Sequence, residues 1–535
     1  MKLYFNSKKL FKKYKMRQVY LIVLIVLLSL GSLEAQNQPP TLQIQEVLLD
    51  EDNQRITITY DLSDEEETDI EIFLRASADG GQTYRISTEG ASGDIGYPVS
   101  VGAGRQISWD YSGQIGLAGN YQLKIVADDR YQIDIAELTS QVDSNLLRQR
   151  LENIVGIRHS TANLANLDRC RDTLEQSFLQ YGLETYRQNF PYAGTTGQNI
   201  IGSHYGTVED ERVIIVDGHY DTVSNAPGAD DNGSAVVGVL EAARILASYR
   251  FKKSLRFIGF DLEEAGLQGS IYFTNHLSDE EQVEAVLNLE MIGYYSDQPN
   301  SQQVPAGFEL LFPEATAEII AEEYRGNFIT NTATQNFSSL SNSFVSAAAE
   351  YVPGLRVINL TAPDGLIPPD LLRSDHAPFW GKGIAALMLT DGANFRNPHY
   401  HESSDTIGTL DFTFMRQVVQ ATIATAAELG EIQHSSEALA SVQITVGEDH
   451  IHELDCNYTL SPIPAREQLQ IRLGDCPVSG LAIELANLNG QIVLSERPGA
   501  EERNITLSTA HLPAGTYWLR MSDGHHFSTN KIILQ

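Results

Sequence analysis

The sequence predicts an α/β protein in which a central mixed β-sheet, covered by helices on both faces, is flanked by an N-terminal and a C-terminal β-sandwich. Three observations predict it. Between residues 135 and 432, wholly apolar runs such as Val213–Val216 alternate with helical patterns, as strands buried on both faces require. On either side of that region, short runs of period two are separated by turn residues, the pattern of half-buried strands. A chain of 535 residues is also too long for one ordinary domain.

Composition narrows the class. With 42% hydrophobic and 20% charged residues the chain is globular rather than disordered. Its 70 acidic residues against 37 basic ones give a net charge of −33, which argues against nucleic acid or an anionic membrane as partner.

Residues 1–35 read as a signal peptide. Lys8, Lys9, Lys12, Lys13, Lys15 and Arg17 precede the apolar run Val19–Leu30, and Leu33-Glu34-Ala35 offers a cleavage site before Gln36. The run is short for a membrane span, so the mature chain is expected to have none and to be secreted or held at the cell surface. The basic region is long enough that Met16 competes with Met1 as the start.

Residues 37–130 carry alternating strands at Arg55–Tyr60, Asp69–Leu74 and Tyr121–Ala127, with Trp109 as a core anchor. Evenly spaced short strands suggest a sandwich of immunoglobulin or fibronectin type III kind, and the acidic run Asp64–Asp69 a solvated loop. From 135 to 432, helices are expected at Leu138–Leu151, Asn163–Tyr181, Ser234–Tyr249 (capped by Asn232) and Phe412–Leu429, with further strands at Leu355–Leu360 and Ile384–Leu389. The polar stretch Pro299–Ala349 is expected to form a lid or a pocket wall. Cys170 falls in a helical pattern and is expected to be buried and inert.

Residues 433–455 read as a polar linker and 456–535 as a second sandwich. Its strands are Leu469–Leu473, Ala482–Ala486, Gln491–Leu494 and Thr516–Met521, and Asn489-Gly490 is a hairpin signal. Cys456 and Cys476 are close enough to pair in an oxidising compartment, and the sequence leaves that pairing open.

The chemistry lies at strand ends. Val213–Val216 runs on to His219 and Asp221, and a loop with Asp230, Asp231 and Asn232 follows. The strand Leu255–Phe260 leads to Glu263-Glu264, the strand Ala285–Leu289 ends at Glu290, and His401 sits in a later loop. Imidazole and carboxylate together are a zinc ligand set, and the crevice beyond the carboxyl ends of parallel strands is where α/β sheets bind ligands.

Four motifs in order, Gly218-His-Tyr-Asp-Thr222, Pro227-Gly-Ala-Asp-Asp-Asn-Gly-Ser-Ala235, Glu263-Glu-Ala-Gly-Leu-Gln-Gly-Ser270 and His401-Glu-Ser-Ser-Asp-Thr406, resemble the dizinc aminopeptidases of metallopeptidase family 28. The resemblance implies two zinc ions per chain. His219 and Glu290 would hold one and Glu264 and His401 the other, with Asp230 bridging both. It also implies Glu263 as general base, Asp221 as the carboxylate orienting His219, and a cis peptide between Asp230 and Asp231. Many family members carry Asp where this chain has Glu290, which keeps the oxygen donor but shifts it by one methylene. Ser374-Asp375-His376 resembles a stretch near the family's pocket; His401 is preferred to His376 as the ligand, and His399 is read as a neighbour.

The implied activity is removal of N-terminal residues from peptide substrates. Rival readings are a zinc carboxypeptidase or a glutaminyl cyclase on the same sheet, or a receptor-like ectodomain without catalysis. The C-terminal module, with Leu512-Pro-Ala-Gly-Thr-Tyr517 and a terminal Lys531-Ile-Ile-Leu534, resembles the sorting domain of type IX secretion cargo and implies an export machinery as partner. Its opening Ser461-Pro-Ile-Pro464 departs from the usual Asn-Pro.

Overall fold

The computed structural model describes residues 37–112, 119–444, 457–474, 481–487, 492–499, 502–510, 512–522 and 527–535. The expected leader, residues 445–455 of the expected linker, Cys456, Cys476 and the Asn489–Gly490 turn lie outside them. Among the described residues no helix is long and apolar enough to cross a membrane.

The central region is built on an eight-stranded sheet. Its strands lie in the order Val357–Ala362, Ile329–Thr334, Ala386–Thr390, Gln282–Glu290, Glu209–His219, Lys253–Phe260, Thr195–His204 and Glu184–Tyr192. The four from Ala386–Thr390 to Lys253–Phe260 run parallel, and antiparallel neighbours on either side make the sheet mixed. Side chains of a strand alternate between faces, and here both faces are buried. Ile214 and Val216 enter one core with the helices Ser144–Ile154, Leu164–Gln180, Gly233–Leu246, Ser338–Tyr351 and Phe412–Leu429. Val213 and Ile215 enter another with Phe273 and Phe379 from two short helices. That double burial is why these strands are uninterrupted apolar runs. Cys170 is fully buried in the first core.

Some expected boundaries move. The helix expected over Leu138–Leu151 is two, Ile135–Ser140 and Ser144–Ile154, because Asp143 turns its carboxylate to the amide of Asn145 and starts a new helix. Asn232 precedes the helix Gly233–Leu246 as expected but does not cap it with its side chain. The stretch Pro299–Ala349 contributes two short helices, a sheet strand and the start of the helix Ser338–Tyr351.

The N-terminal region has two four-stranded sheets sharing one core, in which Ile56, Ile58 and Trp109 of one meet Ile72, Leu123 and Ile125 of the other. One strand of that core comes from far along the chain. Ser435–Ile444, expected to be linker, pairs antiparallel with Gly119–Asp128 over its whole length. The expectation fails because three of the strand's four exposed positions, Glu437, Ser441 and Gln443, are polar, while Val442 and Ile444 are buried in the sandwich. Burying each contributes about 1.5–3 kcal/mol. A chain ending at residue 455 is therefore expected to retain the melting transition of this sandwich. One ending at residue 434, with that edge uncovered, is expected to lower it sharply, as scanning calorimetry would record.

The sandwich is also fastened to the central region. Asp210, buried at the interface, accepts hydrogen bonds from Arg75 Nη2 and the Tyr84 amide, each at 3.2 Å. His434 Nδ1 lies 2.6 Å from Asp129 Oδ2. The C-terminal region comprises a three-stranded and a four-stranded sheet around a shared core that includes Leu469, Ile471, Ile483 and Leu519.

Candidate metal centre

Parallel neighbours end on the same side of a sheet, so the strands Glu209–His219, Lys253–Phe260 and Gln282–Glu290 deliver His219, the Glu263–Glu264 loop and Glu290 to one crevice. The loop before the helix Gly233–Leu246 adds Asp231, and the loop after Asn397 adds His401. Ligand atoms of His219, Glu263 and Glu290 lie within 4.8 Å of one another, and so do those of Asp231, Glu264 and His401.

Asp231 connects the two groups. Its Oδ1 is 3.5 Å from His219 Nε2 and its Oδ2 is 3.1 Å from His401 Nε2. On the first side Glu290 Oε2 stands 3.4 Å from His219 Nε2; on the second Glu264 Oε2 stands 3.1 Å from His401 Nε2. Glu263 Oε2 is more distant, 3.9 Å from His219 Nε2.

The bridging position expected for Asp230 is thus corrected to Asp231. Asp230 is fully buried and turned away: its carboxylate accepts from the Gly293 amide at 2.9 Å and from Asn397 Nδ2 at 2.7 Å. The cis peptide moves with it, lying between Asp231 and Asn232 rather than between Asp230 and Asp231.

Further residues hold the cluster. Asp221 accepts from the amides of Glu263 and Glu264 at 3.0 and 3.3 Å, and its Oδ1 faces His219 Nδ1 at 3.4 Å. Asp405 accepts from the amides of Asp230 and Asp231 at 2.9 and 3.1 Å, so the last motif reaches back to the loop of the second. Ser374 donates to Glu290 Oε2 at 2.7 Å, and Asn232 donates to the Leu289 carbonyl while accepting from the Met291 amide. The sequence offered no role for Ser374 or Asp405, although both lie within quoted motifs. His376 is buried with Nε2 on the Leu371 carbonyl, and His399 bonds Ser404; neither belongs to the two groups. Leu262, Met291 and His401, each in or beside a site loop, have φ of 56°, 52° and 60°. Non-glycine residues rarely adopt that conformation, and it tends to cluster at functional sites.

Burial raises the proton affinity of Glu263 and Glu264. It lifts Glu263 well above the ordinary carboxylate range despite the nearby His219. It also pushes Glu264 up to about 7, with Asp231 adding to the effect. Glu264 Oε1 is buried with no hydrogen-bond partner. Two imidazoles facing four carboxylates, one acid shared between both halves and an oxygen without a donor suit a pair of divalent cations with N and O preference. The residues fit zinc.

A cavity opens beside the cluster, with Glu290 and Tyr400 in its wall and about 840 Å³ of empty space counting its mouth. Phe308, Ile319, Phe328, Ile358, Leu360 and Met388 make its lining largely apolar. Of the stretch expected to be a lid or wall, Gln302, Val304, Phe308, Ala315 and Ile319 are among the residues that line one side. Arg396 secures it, donating to Gln302 Oε1 at 2.7 Å and the Phe328 carbonyl at 2.6 Å.

Against known proteins, residues 199–426 match the model of Peptidase family M28, and residues 459–535 match the Secretion system C-terminal sorting domain. The Escherichia coli uncharacterized protein YfbL is 33% identical over 279 residues, 49% of this chain and 81% of its own. Aminopeptidase YwaD of Bacillus subtilis is 42% identical over 105 residues, 19% of this chain and 23% of its own. The solved zinc aminopeptidase BSAP from Bacillus subtilis is 27% identical, covering 45% of this chain and 52% of its own with a TM-score of 0.35. The chain thus spans most of YfbL but about half or less of the other two.

Proposed function

From the premise that the chain belongs to peptidase family M28 and is a zinc metallopeptidase, we propose that it is a secreted aminopeptidase using two zinc ions. The observation that carries the reading is the placement of Asp231, whose two carboxylate oxygens face the His219–Glu290 pair and the His401–Glu264 pair separately. His219, Glu290 and Asp231 would hold one ion, and His401, Glu264 and Asp231 the other. Relatives named aminopeptidases support attack from the N-terminal end. The C-terminal sorting domain supports delivery outside the cell through an export machinery.

Zinc, when bound, polarises the scissile carbonyl and makes a water acidic enough to attack near neutral pH. The protein does the rest. With Asp231 and Glu290 nearer His219 Nε2 than it is, Glu263 is free to take a proton from the attacking water and pass it to the leaving amine. Asp221 fixes the Glu263–Glu264 loop through both of its amides and faces His219, holding the base and a ligand in register. The apolar cavity receives the side chain of the residue to be removed.

Aminoacyl chromogenic substrates test this directly. Hydrolysis is expected to vanish on dialysis against a chelator and to return with zinc; a protein equally active after metal removal would refute the reading. On a peptide beginning with Gln, mass spectrometry should find cleavage with water added, whereas loss of ammonia would identify a cyclase.

Met388 lies in the cavity lining and is buried. Met388→Trp is therefore expected to shift preference from N-terminal Leu or Phe towards Ala. The ratio of kcat/KM values should fall by roughly 10–200-fold, the effect of removing room for a methylene or more.

A further inference from the structure

Arg158, in the loop between the helices Ser144–Ile154 and Leu164–Gln180, has no exposed surface. Among the described residues no carboxylate forms an ion pair with it. Burying an unpaired charge is costly unless its donors are satisfied, and here main-chain carbonyls satisfy them. Nε donates to the Tyr220 carbonyl at 2.6 Å, Nη2 to Gly228 at 2.9 Å, and Nη1 to Pro227 at 3.1 Å and Gly156 at 3.2 Å. The main chain joins in: the Arg158 amide donates to Thr222 Oγ1 at 2.9 Å, and the Thr222 amide donates to the Arg158 carbonyl at 3.0 Å.

These partners are not scattered. Tyr220 and Thr222 alternate with His219 and Asp221, and Pro227-Gly228 begins the turn that ends at Asp231. One guanidinium therefore joins the loop that carries His219 to the loop that carries Asp231. The fit is close. A Cβ on Gly228 would stand 2.3 Å from the Asp231 carbonyl oxygen and 2.9 Å from Arg158 Nη2, and Gly228 has φ of 60°. Only a planar fork with several fixed donors can bond both loops at once; an ammonium keeps the charge but loses that geometry.

We infer that Arg158 is a positioning residue that assembles the His219–Asp221 and Pro227–Asp231 loops before any metal arrives, so that zinc binds a ready-made site instead of ordering one. The inference rests on the reading of His219 and Asp231 as ligands.

The test compares zinc affinity, by competition with a chromogenic chelator, in the full mature chain and in Arg158→Lys and Arg150→Lys. Arg158→Lys is expected to weaken zinc binding about 10–100-fold, the usual range for groups that support ligands without touching metal. Excess zinc should restore kcat to near the unmodified value. Arg150 bonds Glu241 in a buried pair between helices, and Arg150→Lys is expected to lower the melting temperature without altering zinc affinity. Zinc affinity in Arg158→Lys within twofold of the unmodified chain would overturn the inference.

Should Arg158→Lys fail to fold, amide exchange in the unmodified, zinc-free chain decides. Residues 220–222 and 228–231 are expected to be as protected as the strand Glu209–His219, and rapid exchange that slows only when zinc is added would overturn the inference. An unmodified chain that binds no zinc at all would refute the function instead, and the exchange result would still report on the loops.

Discussion

Glu263→Gln is expected to lower kcat by about 10²–10⁴-fold, the range over which a positioned acid or base contributes, while both zinc ions remain bound. The amide keeps the shape of the side chain and removes its ability to accept and return a proton. Glu263 stands 3.9 Å from His219 Nε2, while Asp231 and Glu290 approach that nitrogen more closely, so its loss should spare the metals. Metal analysis of the purified variant separates the outcomes. Two zinc ions with little turnover support the assignment. Lost zinc would make Glu263 a ligand, and full turnover would remove it from the mechanism.

The second large effect separates two neighbouring aspartates. Asp231→Ala is expected to abolish binding of the zinc pair, because each of its oxygens faces a different half of the centre. The loss should exceed the roughly 10–100-fold typical of a supporting partner. Asp230→Ala should act on stability instead. It strips the Gly293 amide and the Asn397 side chain of an acceptor, and each buried donor left unsatisfied costs about 1–3 kcal/mol. Chelator competition and thermal melting, run on both variants, should show opposite patterns. The same pattern for both would undo the correction from Asp230 to Asp231.

That correction marks where sequence reading stops. The strands and the acids at their ends were legible because a sheet buried on both faces writes itself as apolar runs, and because side-by-side parallel strands must end together. The helix Phe412–Leu429 was read to the residue, since its apolar face recurs without interruption. Asp230 and Asp231 occupy a loop, where no period tells which of two adjacent carboxylates faces the crevice. What decides it is bonding to Gly293 and Asn397, 63 and 167 positions further on. Arg158 was invisible for a related reason, because its partners are main-chain carbonyls and leave no trace in residue type. The Ser435–Ile444 strand was hidden by its largely polar outer face and by a partner strand some three hundred positions earlier.

That late strand bears on how the protein is made. Since the edge of Gly119–Asp128 that Asp69–Ser77 leaves open is covered only by Ser435–Ile444, the N-terminal sandwich is completed only after the whole enzymatic body has been made, and that body sits in it like a guest between two host halves.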